Sequence, residues 1–277
     1  MTTKTILVQA GTGKTGRRVA ALLRERGHVV KAASRSGDTR FDWADRTTWG
    51  PALSGVDAAY VVPLDATSDG DYEVVRDFAA EAAKSGVRKL VLLSARDADL
   101  INEGKKIPEH AIRESGLPWT ILRPVWFHQN FTEDPLFDGM IRRGEALLAT
   151  GEGLEPFIDA DDIAEVAVVS LTEDGHDGQS YDLSGPGKLT FAQAVRAIGA
   201  ELGRDITVTE LAPAEHTGAL VAQGVPREYA ELITSLFGNI REGNEERLSD
   251  GVQRALGRAP RSFADYVKRE AAAGAWR

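Results

Sequence analysis

The sequence predicts an α/β fold built on a doubly wound parallel sheet, followed by a small, mostly helical C-terminal lobe. Three observations carry this. Short apolar runs alternate with stretches of helical periodicity, which is the pattern of a parallel sheet covered by helices on both faces. A glycine-rich turn joins the first run to the first helix. The composition is that of an ordinary globular chain: 277 residues, 42% hydrophobic and 27% charged.

The first run is Thr5-Ile6-Leu7-Val8-Gln9-Ala10, short enough for a buried strand. Gly11-Thr12-Gly13-Lys14-Thr15-Gly16 follows as a tight turn, and Arg17 to Leu23 opens an amphipathic helix. A strand, a G-x-G-x-x-G turn and a helix together put unpaired backbone N–H groups at a helix N-terminus. That is a binding place for a pyrophosphate, because orphan donors and helix dipole both favour negative charge. The longer phosphate loop of nucleoside triphosphatases does not fit. Lys14-Thr15 follow Gly13, but its first glycine would have to stand at Val8.

Gly27 stops the first helix, and His28 to Ser34 reads as the second strand. Its end selects the dinucleotide. An NAD-preferring site places an acidic residue there to hold the ribose 2′-hydroxyl. This chain has Ser34-Arg35-Ser36, with Arg35 19 residues after Gly16. A guanidinium suits a 2′-phosphate and offers a 2′-hydroxyl no acceptor. NADP(H) is therefore expected in preference to NAD(H), with Lys14 adding positive charge.

Phe41-Asp42-Trp43-Ala44-Asp45 reads as a short strand and turn. There Asp42 is expected to accept from the adenine amino group and Trp43 to flank the ring, while Asp45 is the alternative cap of a helix over 47–53. Ala58 to Val62 is a strand ended by Pro63, Asp71 to Lys84 a helix, and Lys89 to Ser94 the next strand. Gly11, Arg35, Pro63 and Ser94 then all fall at strand carboxyl ends, where ligands of such sheets bind. A helix spans 105–116 with Lys105 in its first turn, and Trp119 to Arg123 forms a strand ended by Pro124. The aromatic group Trp126, Phe127 and His128, with Phe131, reads either as an apolar substrate pocket or as core.

Beyond it, Asp161 or Asp162 is expected to cap a helix. That explains the carboxylate run without a metal. Gln179 to Leu183 is a strand, Thr190 caps a helix, 205–209 is a strand, and helices continue from Pro213. Two regions are expected, 1–150 for the dinucleotide and 151–277 for an interleaved substrate region.

The net charge of −9 argues against a nucleic-acid partner. The absence of cysteine excludes disulfides and thiolate chemistry. No apolar run reaches the length of a membrane span and nothing resembles a signal peptide, so a cytoplasmic protein, monomer or homodimer, is expected.

Several segments together resemble the NmrA-like group of atypical short-chain dehydrogenase/reductases: 11–16, 34–36, 89–94, Ser115-Gly116-Leu117-Pro118-Trp119-Thr120-Ile121-Leu122-Arg123-Pro124, and 157–164. The likeness is closest to the branch of quinone and imine reductases. It implies a Rossmann domain, NADP(H), and a reductase acting on a carbonyl of a small aromatic or polycyclic molecule. Quinone or imine acceptors and a non-catalytic NADP(H) sensor are the alternatives. It also implies that Lys105 holds the nicotinamide ribose or polarises the substrate oxygen, while Ser94, at a strand end, is placed to hydrogen-bond a carbonyl. One departure stands out. Most short-chain reductases use a Tyr-x-x-x-Lys pair, yet the residues four past Tyr60, Tyr72, Tyr181, Tyr229 and Tyr266 are Leu64, Arg76, Gly185, Ile233 and Glu270.

Overall fold

The computed structural model describes residues 2–65, 69–98 and 104–277. Its main sheet has seven strands in the order β3-β2-β1-β4-β5-β6-β9. They are β1 (Thr5–Val8), β2 (Val29–Ser34), β3 (Thr39–Arg40), β4 (Ala58–Val61), β5 (Lys89–Leu93), β6 (Trp119–Pro124) and β9 (Gln179–Leu183). Every pairing in this sheet is parallel. The order reverses between β1 and β4, which is the crevice where such sheets take ligands. Pro124 is itself the last residue of β6, opposite Leu183.

Helix α1 (Gly16–Glu25) buries Gly16, Val19, Ala20 and Leu23, a stripe at helical spacing. Gly27, at φ +80°, stops it in a conformation that suits glycine. On one face of the sheet Leu7, Phe41, Trp49, Leu53, Val61, Val75 and Phe78 form a continuous apolar core.

The chain forms two compact units, and their limits differ from 1–150 and 151–277. The first holds Met1–Pro124, Ala160–Leu183 and Asp250–Arg258; the second holds Val125–Asp159, Ser184–Ser249 and Ala259–Arg277. The reason is the sheet: β9 and the helix Ala160–Thr172 before it complete the doubly wound layer, so the chain returns to it. The helix Gly251–Leu256 joins the same unit, packed so closely that a side chain at Gly251 would lie 2.1 Å from the Asp182 carbonyl oxygen.

The second unit contains two small sheets, a parallel pair β7 (Glu145–Leu148) with β11 (Thr207–Glu210) and an antiparallel pair β8 (Leu154–Glu155) with β10 (Leu189–Thr190). Around them lie the helices Pro135–Arg143, Phe191–Glu201, Pro213–Ala222, Arg227–Arg241 and Phe263–Ala272. Thr190 and Gln193 cap the second of these reciprocally. Trp276 is buried, and its indole N–H donates to the Phe131 carbonyl at 2.6 Å. Among the described residues no helix is long and apolar enough to cross a membrane, and no group of three metal-ligating side chains converges.

The expected caps Asp161 and Asp162 are corrected here. The helix already begins at Ala160, so both lie in its first turn. Asp161 accepts from Arg18 Nε at 2.7 Å, and Asp162 accepts from Arg258 at 2.7 Å. Lys105 is likewise not on a helix: the helix starts at Pro108, leaving Lys105 exposed in the preceding segment. Proline's missing N–H suits the first helical position, which sets the start there.

Candidate dinucleotide-binding site

The site is built from backbone. Gly11 N–H donates to the Ala33 carbonyl at 3.0 Å, drawing the turn over the end of β2. A side chain at Gly11 would meet the Ala32 Cβ at 2.9 Å. Gly13 N–H closes the turn on the Ala10 carbonyl at 2.8 Å. At Gly16 a Cβ would stand 2.2 Å from that same carbonyl oxygen, so only glycine lets α1 start so near β1. Ala10 itself takes φ +47°, a left-handed conformation that alanine rarely adopts. The entry of α1 therefore lies at the carboxyl edge of the sheet, with Arg17 N–H donating to the Gly13 carbonyl at 3.2 Å and Val19 N–H to the Thr15 carbonyl at 2.9 Å; a helix N-terminus in this place favours an anion.

The other expected residues line this edge. Arg35 is exposed one residue past β2, Pro63 is buried two residues past β4, and Ser94 follows β5 directly. Thr12 is exposed, while Gly13 and Lys14 are half-buried. Thr15 is buried, and its Oγ1 accepts from the Tyr60 hydroxyl at 3.1 Å.

Asp42 and Trp43 sit nearby with part of their polar capacity engaged. Asp42 Oδ1 accepts from Ala44 N at 3.0 Å. The Trp43 indole N–H donates to the Val62 carbonyl at 2.9 Å, and its ring packs edge-on against Phe41 and Phe78. Asp45 is a cap, accepting from Thr47 N at the start of a short 3₁₀ turn.

Ser94 is held in a way the sequence does not reveal. Its Oγ donates to Glu109 Oε1 at 2.7 Å. Glu109 is fully buried and also accepts from Arg123 Nε at 2.7 Å and from Arg113 at 2.9 Å. A buried carboxylate facing two guanidiniums is retained because its charge is compensated. The spacing of Glu109 and Arg113 signals a helical pair, but nothing in the sequence announces that Arg123 and Ser94 close around it. Lys106, beside Lys105, donates to the Tyr72 oxygen at 3.0 Å and to Glu114 at 2.9 Å.

The aromatic group lies in the second unit. Trp126 packs against Phe137, Phe191 and Phe237 within 5.2 to 5.8 Å, as part of that unit's core. Phe127 is half-buried and pairs with Ile158 in a parallel bridge. His128 is fully buried, with Nε2 3.0 Å from the Phe157 carbonyl oxygen and its ring against Phe263 and Tyr266. Its Nδ1 stands 3.7 Å from Asp159, whose carboxylate is already taken by Gln129 and Arg269.

A family model described as NAD(P)H-binding matches residues 10–174. Agroclavine dehydrogenase of Claviceps purpurea (strain 20.1) is 35% identical over 291 residues, covering 99% of this chain and 99% of that one. Triphenylmethane reductase of Citrobacter sp., solved with NADP(H), superposes with a TM-score of 0.78 at 20% identity, over 96% of this chain and 99% of that one. NmrA, a negative transcriptional regulator solved with NAD, gives a TM-score of 0.74 at 18% identity, over 100% of this chain and 99% of that one.

The chain belongs to the NmrA-like atypical short-chain dehydrogenase/reductases. It is an NAD(P)H-dependent oxidoreductase of that type. The turn fits such a cofactor on backbone grounds, since Gly11 and Gly16 have no room for a side chain and Gly13 only 3.2 Å to the Ala10 oxygen.

Proposed function

We propose that the chain reduces a small aromatic or polycyclic acceptor with NADPH, used in preference to NADH. In this reading the turn 11–16, with Lys14, holds the diphosphate and the exposed Arg35 takes the 2′-phosphate. Asp42, Trp43 and Pro63 border the adenine, and Lys105 serves the nicotinamide ribose. When bound, the reduced nicotinamide supplies a hydride. The sequence expectation of a carbonyl acceptor asks more of the protein, because an alkoxide needs a proton.

The observation that carries the choice of acceptor is the Ser94 hydroxyl, whose hydrogen is donated to Glu109 at 2.7 Å. No Tyr-x-x-x-Lys pair stands in for it. Acceptors that need no protein acid are therefore favoured over a ketone. An iminium carbon takes the hydride and becomes a neutral amine, and a quinone becomes a hydroquinone anion spread over its ring. His128, buried in the core, is left out of the proposal. Trp126 is assigned to packing, and Phe127 is kept as a pocket wall.

The test follows loss of the reduced-nicotinamide absorbance with matched aromatic iminium, quinone and ketone acceptors. Turnover is expected with the iminium or quinone at rates above the ketone. A ketone reduced fastest would overturn the acceptor assignment. No turnover with any acceptor, alongside tight NADPH binding, would support a sensor instead.

A further inference from the structure

Tyr60 is buried without any exposure in β4, next to β1 in the sheet. It touches both ends of the glycine turn. Its carbonyl accepts from Gln9 N–H at 3.1 Å, where the turn leaves β1. Its hydroxyl donates to Thr15 Oγ1 at 3.1 Å, where the turn enters α1. The next-but-one residue adds a third link: Val62 N–H donates to Gln9 Oε1 at 3.0 Å. Thr15 makes no side-chain cap to its own helix, so its hydroxyl is committed to the tyrosine instead.

We infer that Tyr60 is a positioning residue for the dinucleotide, setting the entry of α1 through Thr15 and so the aim of its first amides at the diphosphate. The inference rests on the reading that the diphosphate lies at this turn. A helix N-terminus binds an anion only where its N–H groups point at it, and small displacements of such donors are costly. The turn carries strain at Ala10 and close approaches at Gly11 and Gly16, so a brace between its two ends has something to resist. Burial also pushes the Tyr60 phenol well above its ordinary value, which keeps it a donor at every working pH.

The test is Tyr60→Phe, which keeps the ring and removes one oxygen. Dissociation constants for NADPH and NADH should both rise, by the same factor of about five to ten. The turnover rate at saturating NADPH should stay within about twofold, so KM moves and kcat does not. Thr15→Val should reproduce the loss, Thr15→Ser should restore near-normal binding, and the double variant Tyr60→Phe/Thr15→Val should be no worse than either single one. If Tyr60→Phe does not fold, the Thr15 pair decides.

Lowered resistance to urea with unchanged dissociation constants would make Tyr60 merely structural and overturn the inference. A loss confined to NADPH would overturn it too, since it would run through the 2′-phosphate. Failure of the wild-type chain to bind either dinucleotide would instead strike the site reading itself.

Discussion

Two regions of this chain use glycines and aromatics in opposite ways. At the β1–α1 turn the working surface is backbone, and the side chains are absent because there is no room for them: 2.2 Å at Gly16, 2.9 Å at Gly11. In the second unit a different sequence signal, the aromatics past the end of β6, is taken up by packing at Trp126 and His128. Phe191 lies 4.9 Å from Phe157, 5.0 Å from Phe237 and 5.2 Å from Trp126. Aromatic rings bury large apolar areas and gain from edge-on contact, so a cluster of them pulls itself into a core unless something keeps it open. A backbone site announces itself in sequence because few residues permit its geometry. A side-chain pocket does not, because the same residues make cores.

The contrast breaks first at Trp126. If it is core, Trp126→Ala should cost about 3 kcal/mol, at the low end for a truncated tryptophan because the ring is only half-buried. Urea unfolding measures this. A variant with wild-type stability and a raised KM for the acceptor would return Trp126 to the pocket.

A smaller effect sharpens the comparison through acid. Burial is the leading cause that holds His28, His176 and His216 below the ordinary imidazole value, with the nearby cations Lys4, Lys89 and Arg241 adding to it respectively. Their neutral forms are the ones that fit the fold. Between those depressed values and about 6.5 the unfolded chain binds more protons than the folded one. Stability is therefore full above about pH 6.5 and falls as pH drops below it. The first two lie in the first unit and His216 in the second, so both regions should lose stability together. Urea midpoints at pH 8 and pH 5.5 read this out, and equal midpoints would refute the shifts.

Legibility in the sequence followed the same divide. β1, β2, β4, β5 and β6 are readable because largely apolar runs of strand length stand between glycine and proline stops, and β9 because Tyr181 and Leu183 alternate with polar residues. Gly11, Arg35, Pro63 and Ser94 fall at strand ends as their spacing implies. The Ser94–Glu109–Arg123 contact is not readable, because it joins a strand end to a helix and a second strand by burial rather than by spacing. The return of 160–183 and 250–258 to the first unit is hidden for the same reason. Helical periodicity says that a face is buried, not which layer buries it.

The central claim is that a dinucleotide lies along this sheet edge with Arg35 on its 2′-phosphate. Titration calorimetry of NADPH and NADH into the wild-type chain and Arg35→Ala tests it directly. NADPH should bind more tightly than NADH to the wild type, and Arg35→Ala should weaken NADPH by roughly tenfold or more while leaving NADH within about twofold. Equal weakening of both, or no binding of either to the wild-type chain, would contradict the account.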